Sequence, residues 1–240
     1  MMIKLSKYTY LSKAFTLYNL ASLMKDKLDI KGMFFDLDGT ILDTKEAYVE
    51  AAKTAFMATG QYPPELAVAL EIPRRLEQKL PFDDIVKAER HAFLDVYLNT
   101  FYAISQVRSK PIAGAIETLE LLSKKAKLSI ITMRYAPKEV VMAELGYFGL
   151  SKYFTHVVTA LDTLKPKPSP EALIKAVSVM GVQMCDCVIV GDSVIDVKAG
   201  EAAGAKTVAV LSGLYSHKEL LKENPTYILN DLTELPEFIQ

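Results

Sequence analysis

Five short runs of almost wholly apolar residues recur along the chain, and segments with helical spacing lie between them. Runs of this length and composition predict strands that are covered on both faces. In chain order the runs span residues 33–35, 128–132, 157–159, 188–190 and 207–210. Strands that alternate with helices in this way predict an α/β fold with a doubly wound parallel sheet.

Four segments in the second half of the chain predict the helices that connect these strands. Pro137 and Pro170 occupy first helical positions, and Gly146 is placed to end the helix that Pro137 opens. The four segments cover residues 112–122, 138–145, 171–180 and 194–203.

Residues 47–108 carry no strand signal and predict an all-helical insertion between the first strand and the rest of the chain. The insertion is either a separate cap on an α/β core of residues 31–46 and 109–240, or a part of one continuous α/β body. The absence of any strand pattern over about sixty residues favours the cap.

Three helices are expected inside this insertion. Asp43 and Glu46 have the spacing of a capping box, so Asp43 is the expected N-cap of the first helix. The other two are expected at residues 65–70 and 84–104. A loop, Ile72-Pro73-Arg74-Arg75, is expected after the second helix because proline interrupts the pattern.

Residues 1–30 predict a helical extension that packs on the body of the protein or on a second subunit, as in a homodimer. Apolar residues crowd positions 11–24, but Lys13 and Lys25 bound a run that is too short to cross a bilayer. No small-residue cleavage site of a signal peptide is evident, so no membrane partner is expected. Met24 is an alternative translation start.

Composition favours a globular enzyme. The 240 residues are 50% hydrophobic with a formal net charge of −1, which fits one large domain or one domain with a smaller insertion. Lys and Arg are scattered, so no nucleic-acid partner is expected. Cys185 and Cys187 lack the second ligand pair of a zinc site and are expected as small buried residues at the start of a strand. The absence of a disulfide framework predicts a cytoplasmic location.

Polar residues follow the predicted strands at the points where the strands end. Asp36 and Asp38 follow the first strand, Thr132 ends the second, and Asp192 follows the fourth. The segment 165–168 after the third strand carries two lysines. In a parallel sheet these groups meet at one edge, where open α/β sheets bind ligands. Carboxylates that meet there need a cation to offset their repulsion.

These residues resemble, in the same order, the motifs of the haloacid dehalogenase superfamily. Asp-Leu-Asp-Gly-Thr at 36–40 is similar to the first motif, and Thr132 to the second. Lys-Pro-Lys-Pro at 165–168 is similar to the third motif and Gly-Asp at 191–192 to the last. The resemblance begins near Lys31, runs to the C-terminus and is greatest for phosphoglycolate phosphatases. It implies a helical cap and a Mg²⁺-dependent phosphatase for a small phosphorylated metabolite.

The resemblance also implies roles for the acids. Asp36 would be the nucleophile that forms an aspartyl-phosphate. Asp38 would protonate the leaving alkoxide and then take a proton from the hydrolytic water. A Mg²⁺ ion would be bound by the carboxylate of Asp36, the backbone carbonyl of Asp38 and the carboxylate of Asp192.

A phosphate-binding set is implied in the same way. Thr132 would bind a phosphate oxygen, together with the backbone amides of Gly39 and Met133. Lys165 would bridge the nucleophile and the phosphate, because the Lys-Pro-x-Pro pattern at 165–168 begins with it. Lys167 is the competing candidate and is otherwise a solvated loop lysine.

Two further charged residues have open roles. Asp196 lies four residues after Asp192 and either orients waters or Lys165 behind the metal, or is an ordinary acid in a first helical turn. Arg134 follows Thr132-Met133, where many relatives have asparagine directly after the threonine. It either adds positive charge for a substrate carboxylate or phosphate, or lies at the surface.

Arg74 and Arg75 in the predicted cap loop either bind a substrate carboxylate bidentately or are solvated charges. The alternatives to a phosphatase are a phosphotransferase or phosphomutase on the same scaffold, and a non-catalytic binding protein. Tyr48 stands where β-phosphoglucomutases usually have histidine, which weakens the mutase interpretation. The complete set of motif residues argues against a non-catalytic protein.

Overall fold

The computed structural model describes residues 27–240. Six parallel strands form the central sheet: β1 Gly32–Phe35, β4 Lys127–Ile131, β5 Phe154–Val158, β6 Cys187–Gly191, β7 Lys206–Val210 and β8 Tyr227–Leu229. Their spatial order is β5-β4-β1-β6-β7-β8. The predicted doubly wound parallel sheet is therefore confirmed.

Strand β1 lies at the centre of the sheet and is buried on both faces. Met33 and Phe35 join one hydrophobic cluster, and Phe34 between them joins the cluster on the opposite face. All three are fully buried, because successive side chains of a strand point to opposite faces. This is why the run is continuously apolar instead of alternating.

Helices cover both faces of this sheet. Five of them belong to the α/β core: α4 Ala115–Ser123, α5 Lys138–Tyr147, α6 Glu171–Met180, α7 Val194–Ala203 and α8 His217–Leu221. Helices α6 and α7 have the predicted bounds. Helix α5 continues through Gly146 to Tyr147, and Pro137 is its N-cap.

The chain order places a switch point beside β1. The chain passes from β1 to β4 on one side of it and later returns to β6 on the other side. Gly32 is consequently in register with Lys127 of β4 and with Cys187 of β6. The carboxyl ends of β1, β4 and β6 therefore lie side by side, which is where such sheets form a crevice for ligands.

Three of the helices between β1 and β4 have a hydrophobic core of their own. They are α1 Lys45–Ala58, α2 Leu66–Glu77 and α3 Arg90–Arg108. Where the chain leaves and re-enters the α/β core, β2 Leu42–Asp43 pairs antiparallel with β3 Lys110–Pro111. We call α1–α3 the helical cap.

The helices of the cap differ from the predicted ones at their ends. Helix α2 continues through Pro73 to Glu77, so the predicted loop at 72–75 is wrong. Ile72 is fully buried in the cap core, and packing on this face outweighs the backbone hydrogen bond that proline cannot donate. The N-cap of α1 is Thr44 instead of Asp43.

Helix α3 begins later than the pattern indicates. Its N-cap is Glu89, whose carboxylate accepts hydrogen bonds from the amides of His91 and Ala92. These two bonds satisfy amides that the first helical turn leaves without partners. The sequence pattern predicts helix for residues 84–88 as well, but they lie before this cap.

The remaining expectations concern the cysteines and the N-terminus. Cys187 is buried at the start of β6 as expected, but Cys185 is exposed in the turn Met184–Asp186 that precedes the strand. The predicted N-terminal extension lies almost wholly outside the described residues. Within residues 27–240, no helix combines the length and the hydropathy needed to cross a bilayer.

Candidate active site

Four buried polar side chains meet at the carboxyl edge of the sheet. Asp36 follows β1, Thr132 follows β4, and Asp192 follows β6. Lys167 reaches the same place from the loop between β5 and α6. The edge predicted from the strand ends is therefore a single site in the structure.

Lys167 is the ammonium group at the centre of this site. Its Nζ donates to Asp36 Oδ1 and to Asp196 Oδ1, both at 2.6 Å, and to the carbonyl oxygen of Ile131 at 2.9 Å. The side chain is only 1% exposed. Burial disfavours its charged form, but the carboxylates of Asp196 and Asp36 outweigh burial and raise the pKa of Lys167. Lys167 is therefore a fixed positive charge.

The expectation that Lys165 bridges the nucleophile is wrong. Lys165 is exposed, and its backbone amide donates to Glu171 Oε2 at 3.0 Å. Glu171 also accepts from the amide of Leu164, which holds this part of the loop at the start of α6 and away from Asp36. The sequence contained the correct signal, because Lys-Pro-x-Pro recurs two residues later at 167–170.

Three buried carboxylates surround this lysine. Ligand oxygens of Asp36, Asp192 and Asp196 all lie within 4.8 Å of one another. Burial raises the pKa of Asp36, and burial together with the charge of Asp196 raises the pKa of Asp192 to about 7. One ammonium cannot balance three carboxylates, so the site carries an excess of negative charge in oxygen ligands. This donor set fits a hard divalent cation such as Mg²⁺.

The backbone of two loops closes around Asp192. Thr40 Oγ1 donates to Oδ1 at 3.3 Å, and the amide of Leu214 donates to Oδ2 at 3.1 Å. A Cβ added to Gly39 would lie 2.7 Å from Asp192 Oδ2, and one added to Gly213 would lie 1.6 Å from it. Both positions therefore require glycine for close approach of the backbone to this carboxylate.

The predicted phosphate-binding residues are brought together only in part. Thr132 and Met133 line the cavity in front of Asp36. Gly39 lines it too, but its amide donates to the carbonyl of Leu42 at 2.7 Å. The expectation that this amide binds phosphate is therefore wrong, because the amide is already used in the turn.

Asp196 acts on Lys167 instead of Lys165. Its Oδ1 accepts from Lys167, and its Oδ2 accepts from the amide of Ser193 at 3.2 Å in a capping box at the start of α7. A Cβ on Gly191 would lie 2.2 Å from the Asp196 carboxylate, so a larger residue there would displace it. Asp196 is thus both the acid in the first turn of α7 and the carboxylate that pairs with Lys167.

Arg134 is neither a surface residue nor free for a substrate. Its Nε and Nη2 donate to the two carboxylate oxygens of Asp38 at 2.8 and 2.7 Å, and its Nη1 pairs with Glu144 from α5. The guanidinium is buried, and its carbon lies 5.4 Å from the ring centroid of Phe101. The predicted alternatives for Arg134 are both wrong, because two carboxylates hold it in the protein.

Arg74 and Arg75 do not reach the cavity. Arg74 pairs with Glu71 and with Glu219 of α8, and it stacks at 4.7 Å on the ring of Tyr215. Arg75 pairs with Glu71 and with Asp84, at the outer side of α2. The expectation that they bind a substrate carboxylate fails because α2 is a helix that presents other residues to the cavity.

The cavity of about 230 Å³ lies between the cap and the carboxyl edge of the sheet. Its walls are mainly apolar and aromatic, with Tyr97 and Phe101 from α3 and Tyr215 from the core. Glu77 at the end of α2 also lines it and accepts from the hydroxyl of Tyr215 at 3.1 Å. Burial, with the nearby charges of Asp196 and Asp192, raises the pKa of Glu77 to about 8.

Sequence reasoning missed several residues of this site. The sequence pattern favours Lys165 over Lys167, and it gives no sign of a role for Glu77 or Glu144. Tyr97 and Phe101 were recognised only as one face of a helix, which is equally typical of core packing. No local sequence pattern marks Glu144, because its role arises from a contact between α5 and Arg134 at the end of β4, which forms only in the folded protein.

Comparison with known proteins gives a consistent assignment. A pyrophosphatase PpaX of Halalkalibacterium halodurans is 26% identical over 215 residues, which are 88% of this chain and 98% of that protein. Phosphoglycolate phosphatase 1 of Pseudomonas aeruginosa is 28% identical over 85% of this chain and 77% of its own length. A solved haloacid dehalogenase-like family protein of Streptococcus pneumoniae has a TM-score of 0.75 at 20% identity, over 88% of this chain and 99% of that one. The family model of haloacid dehalogenase-like hydrolases matches residues 33–210. The chain therefore belongs to the haloacid dehalogenase-like hydrolases.

Proposed function

We propose that this hydrolase is a Mg²⁺-dependent phosphatase that cleaves a small phosphate monoester through an aspartyl-phosphate. The observation that carries the proposal is the contact of 2.6 Å between Lys167 Nζ and Asp36 Oδ1 at the end of the central strand. It gives a buried carboxylate a fixed positive partner at the point where a phosphate dianion must approach. Phosphoryl transfer depends on positioning and charge stabilisation of this kind.

Asp36 is the proposed nucleophile. Its Oδ1 accepts from Lys167, which leaves Oδ2 directed by the same contact and available to attack phosphorus. Attack forms a bond between this oxygen and phosphorus while the bond from phosphorus to the alcohol oxygen breaks. Lys167 offsets the repulsion between the carboxylate and the phosphate, and the hydroxyl of Thr132 donates a hydrogen bond to a phosphate oxygen.

Asp38 is the proposed acid and base. Its carboxylate is held at two oxygens by Arg134, so its orientation toward the cavity is fixed. In its protonated form Asp38 delivers a proton to the departing alkoxide. The carboxylate that this leaves accepts a proton from the water, whose oxygen bonds to phosphorus while the bond from phosphorus to Asp36 breaks. The phosphate and the free alcohol are the products.

The site fits a Mg²⁺ ion by the chemistry of its donors. The proposed protein ligands are the carboxylates of Asp36 and Asp192 and the backbone carbonyl of Asp38. A bound Mg²⁺ ion supplies positive charge to the phosphate oxygens and shields them from the carboxylates. Asp196 supports the set from behind, because it holds Lys167.

The named relatives agree with this class of reaction, since pyrophosphatases and phosphoglycolate phosphatases both release phosphate. We therefore propose a small phosphorylated metabolite as the substrate. The two free cysteines, Cys185 and Cys187, support a reducing location such as the cytoplasm.

Phosphate release from para-nitrophenyl phosphate, with Mg²⁺ and with excess EDTA, tests the proposal. We expect activity only with Mg²⁺, and a loss of about a thousandfold or more in Asp36→Asn. Asp83→Asn is the matched control, because Asp83 is exposed on the cap. Metal-independent hydrolysis, or an active Asp36→Asn, would refute the mechanism. Transfer of phosphate to an added sugar in preference to water would assign a phosphotransferase instead.

A further inference from the structure

The wall of the cavity differs in character from its floor. The floor carries Asp36, Asp38 and Thr132, which are the groups proposed to act on the phosphate. The cap side carries aromatic rings, and Tyr97 and Phe101 of α3 are almost fully buried there. The part of a substrate beyond its phosphate must therefore lie against an apolar surface.

Cations are scarce on this wall. Among residues 27–240, the basic side chains that line the cavity are Lys45 and Arg134. Arg134 is bound to Asp38 and Glu144, so its charge is already balanced. Lys45 donates to the carbonyl of Ser212 at 2.7 Å, on the core side next to the phosphate floor.

The ionisable carboxyl group on the cap side of the cavity belongs to an acid of α2. Glu77 lines the cavity from the end of α2, whereas Arg74 of the same helix turns outward to Glu219. A second anionic group on the substrate would lose its hydration near this carboxyl and find no cation among the residues with which α2 and α3 line the cavity. Burial of such an unpaired charge is unfavourable.

Two buried hydroxyls in the same cavity lack partners. The hydroxyl of Tyr97 and Oγ1 of Thr44 make no hydrogen bond within the part of the chain that the structure describes. Tyr97 is 2% exposed and Thr44 is 1% exposed, and both residues line the cavity. Buried polar groups are normally paired, so these hydroxyls favour a ligand that carries a hydrogen-bonding group on this side of the cavity.

We infer that the substrate is a phosphate monoester of an uncharged alcohol, with an aromatic or apolar portion against α3 and a neutral polar group that pairs with Tyr97. This inference rests on the proposed phosphatase function and specifies its substrate class. Pyrophosphate and phosphoglycolate, for which the relatives are named, each carry a second anionic group. The cap wall of this chain is unsuited to that group.

Matched aryl phosphates test the inference on the full-length enzyme with Mg²⁺. Phenyl phosphate and para-carboxyphenyl phosphate differ only in a carboxylate, and the carboxylate makes the second a slightly better leaving group. We expect kcat/KM to be about tenfold or more lower for the carboxylate compound. Benzyl phosphate should likewise exceed phosphoglycolate among alkyl esters. Equal or faster hydrolysis of the anionic member in either pair overturns the inference.

Two variants identify the residues responsible. Leu98 lines the cavity and is 37% exposed, so Leu98→Lys adds a cation there without burying it. We expect Leu98→Lys to raise the ratio of kcat/KM for para-carboxyphenyl over phenyl phosphate by about tenfold. An unchanged ratio would show that a lack of cations does not set the preference.

Tyr97→Phe removes the unpaired hydroxyl. The comparison uses phenyl phosphate and whichever of meta- and para-(hydroxymethyl)phenyl phosphate the wild type prefers. The ratio of kcat/KM for the hydroxymethyl compound over phenyl phosphate should fall by about fivefold to tenfold. A constant ratio contradicts the contact assigned to Tyr97. If the proposed phosphatase function is wrong, the result differs: none of these esters is then cleaved in a reaction that requires Mg²⁺ and Asp36.

Discussion

The guanidinium of Arg134 binds both carboxylate oxygens of Asp38, with Nε 2.8 Å from Oδ2 and Nη2 2.7 Å from Oδ1. A bidentate pair fixes the plane of the carboxylate as well as its distance. Glu144 holds the opposite side of the guanidinium, so the arginine itself cannot turn away. Asp38, the proposed acid and base, is thus held in one orientation at the cavity by Arg134 after β4, which Glu144 of α5 fixes in turn.

Arg134→Lys tests this support. Lysine keeps the positive charge but loses the two parallel hydrogen bonds, so Asp38 becomes free to rotate. We expect kcat to fall by about tenfold to a hundredfold for benzyl phosphate, with a smaller fall for para-nitrophenyl phosphate. The difference arises because a nitrophenolate departs without a proton from Asp38.

Arg108→Lys is the control for that variant, because the exposed pair of Arg108 with Glu46 involves the same change of residue at the surface. Thermal unfolding of both variants separates misfolding from misorientation. Equal losses for the two esters in Arg134→Lys would mean that the arginine supports the fold and does not position Asp38.

The two lysines of the loop before α6 make an internal comparison. Lys167→Met removes the buried ammonium that contacts Asp36 and Asp196, whereas Lys165→Met changes an exposed side chain in the same segment. We expect kcat to fall by about a hundredfold to a thousandfold in Lys167→Met and to stay within about twofold in Lys165→Met. Steady-state kinetics with para-nitrophenyl phosphate measures both. The opposite ranking would restore Lys165 as the phosphate-binding lysine.

The buried strands and the position of the acids could be predicted from the sequence because both depend on local pattern. A central strand that is buried on both faces must be apolar throughout, as Met33, Phe34 and Phe35 are. Polar residues placed directly after such a strand must lie at the carboxyl edge of the sheet. Asp36 and Asp192 were found by this reasoning.

The errors arose where a contact joins distant elements. Lys-Pro-x-Pro occurs in two overlapping registers, and only the contacts of Lys167 with Asp36 and Asp196 in the folded protein decide between them. Arg134 could not be placed without Glu144, which lies ten residues later on a helix. Pro73 stays inside α2 because burial of Ile72 decides the helix, which a proline rule does not consider.

Mg²⁺ binding should depend on pH in a defined direction. In the metal-free site burial and the charge of Asp196 raise the pKa of Asp192 to about 7, so near neutral pH a cation must displace a proton from part of the population of this carboxyl. Binding therefore strengthens as pH rises through about 7. We expect saturating Mg²⁺ to raise Tm by several degrees at about pH 8 and by clearly less at about pH 6.

Differential scanning calorimetry with Mg²⁺ and with EDTA at both pH values measures this effect. Asp192→Asn removes a proposed ligand and should abolish most of the stabilisation at the higher pH. An equal gain in Tm at both values would contradict the linkage between proton release and metal binding.

Glu77 should destabilise the metal-free protein at alkaline pH. Burial and the charges of Asp196 and Asp192 raise its pKa to about 8, above its ordinary value of 4.5. Between these two values the folded state binds more protons than the unfolded state, so the free energy of unfolding falls as pH rises through the window. Glu77→Gln is neutral at every pH and can still accept the hydrogen bond from Tyr215.

Urea unfolding of the metal-free wild type and of Glu77→Gln at about pH 5 and about pH 8 tests this expectation. The free energy of unfolding of the variant minus that of the wild type should be about 1–2 kcal/mol larger at about pH 8 than at about pH 5. This is less than the full pKa shift implies, because the side chain of Glu77 keeps some contact with solvent. Glu117→Gln, on the exposed face of α4, is the matched control and should show no such gain. Bound Mg²⁺ balances the charges of Asp192 and Asp196, so the gain should shrink when the ion is added. A gain that persists undiminished would mean that burial alone, and not the acid cluster across the cavity, sets the pKa of Glu77.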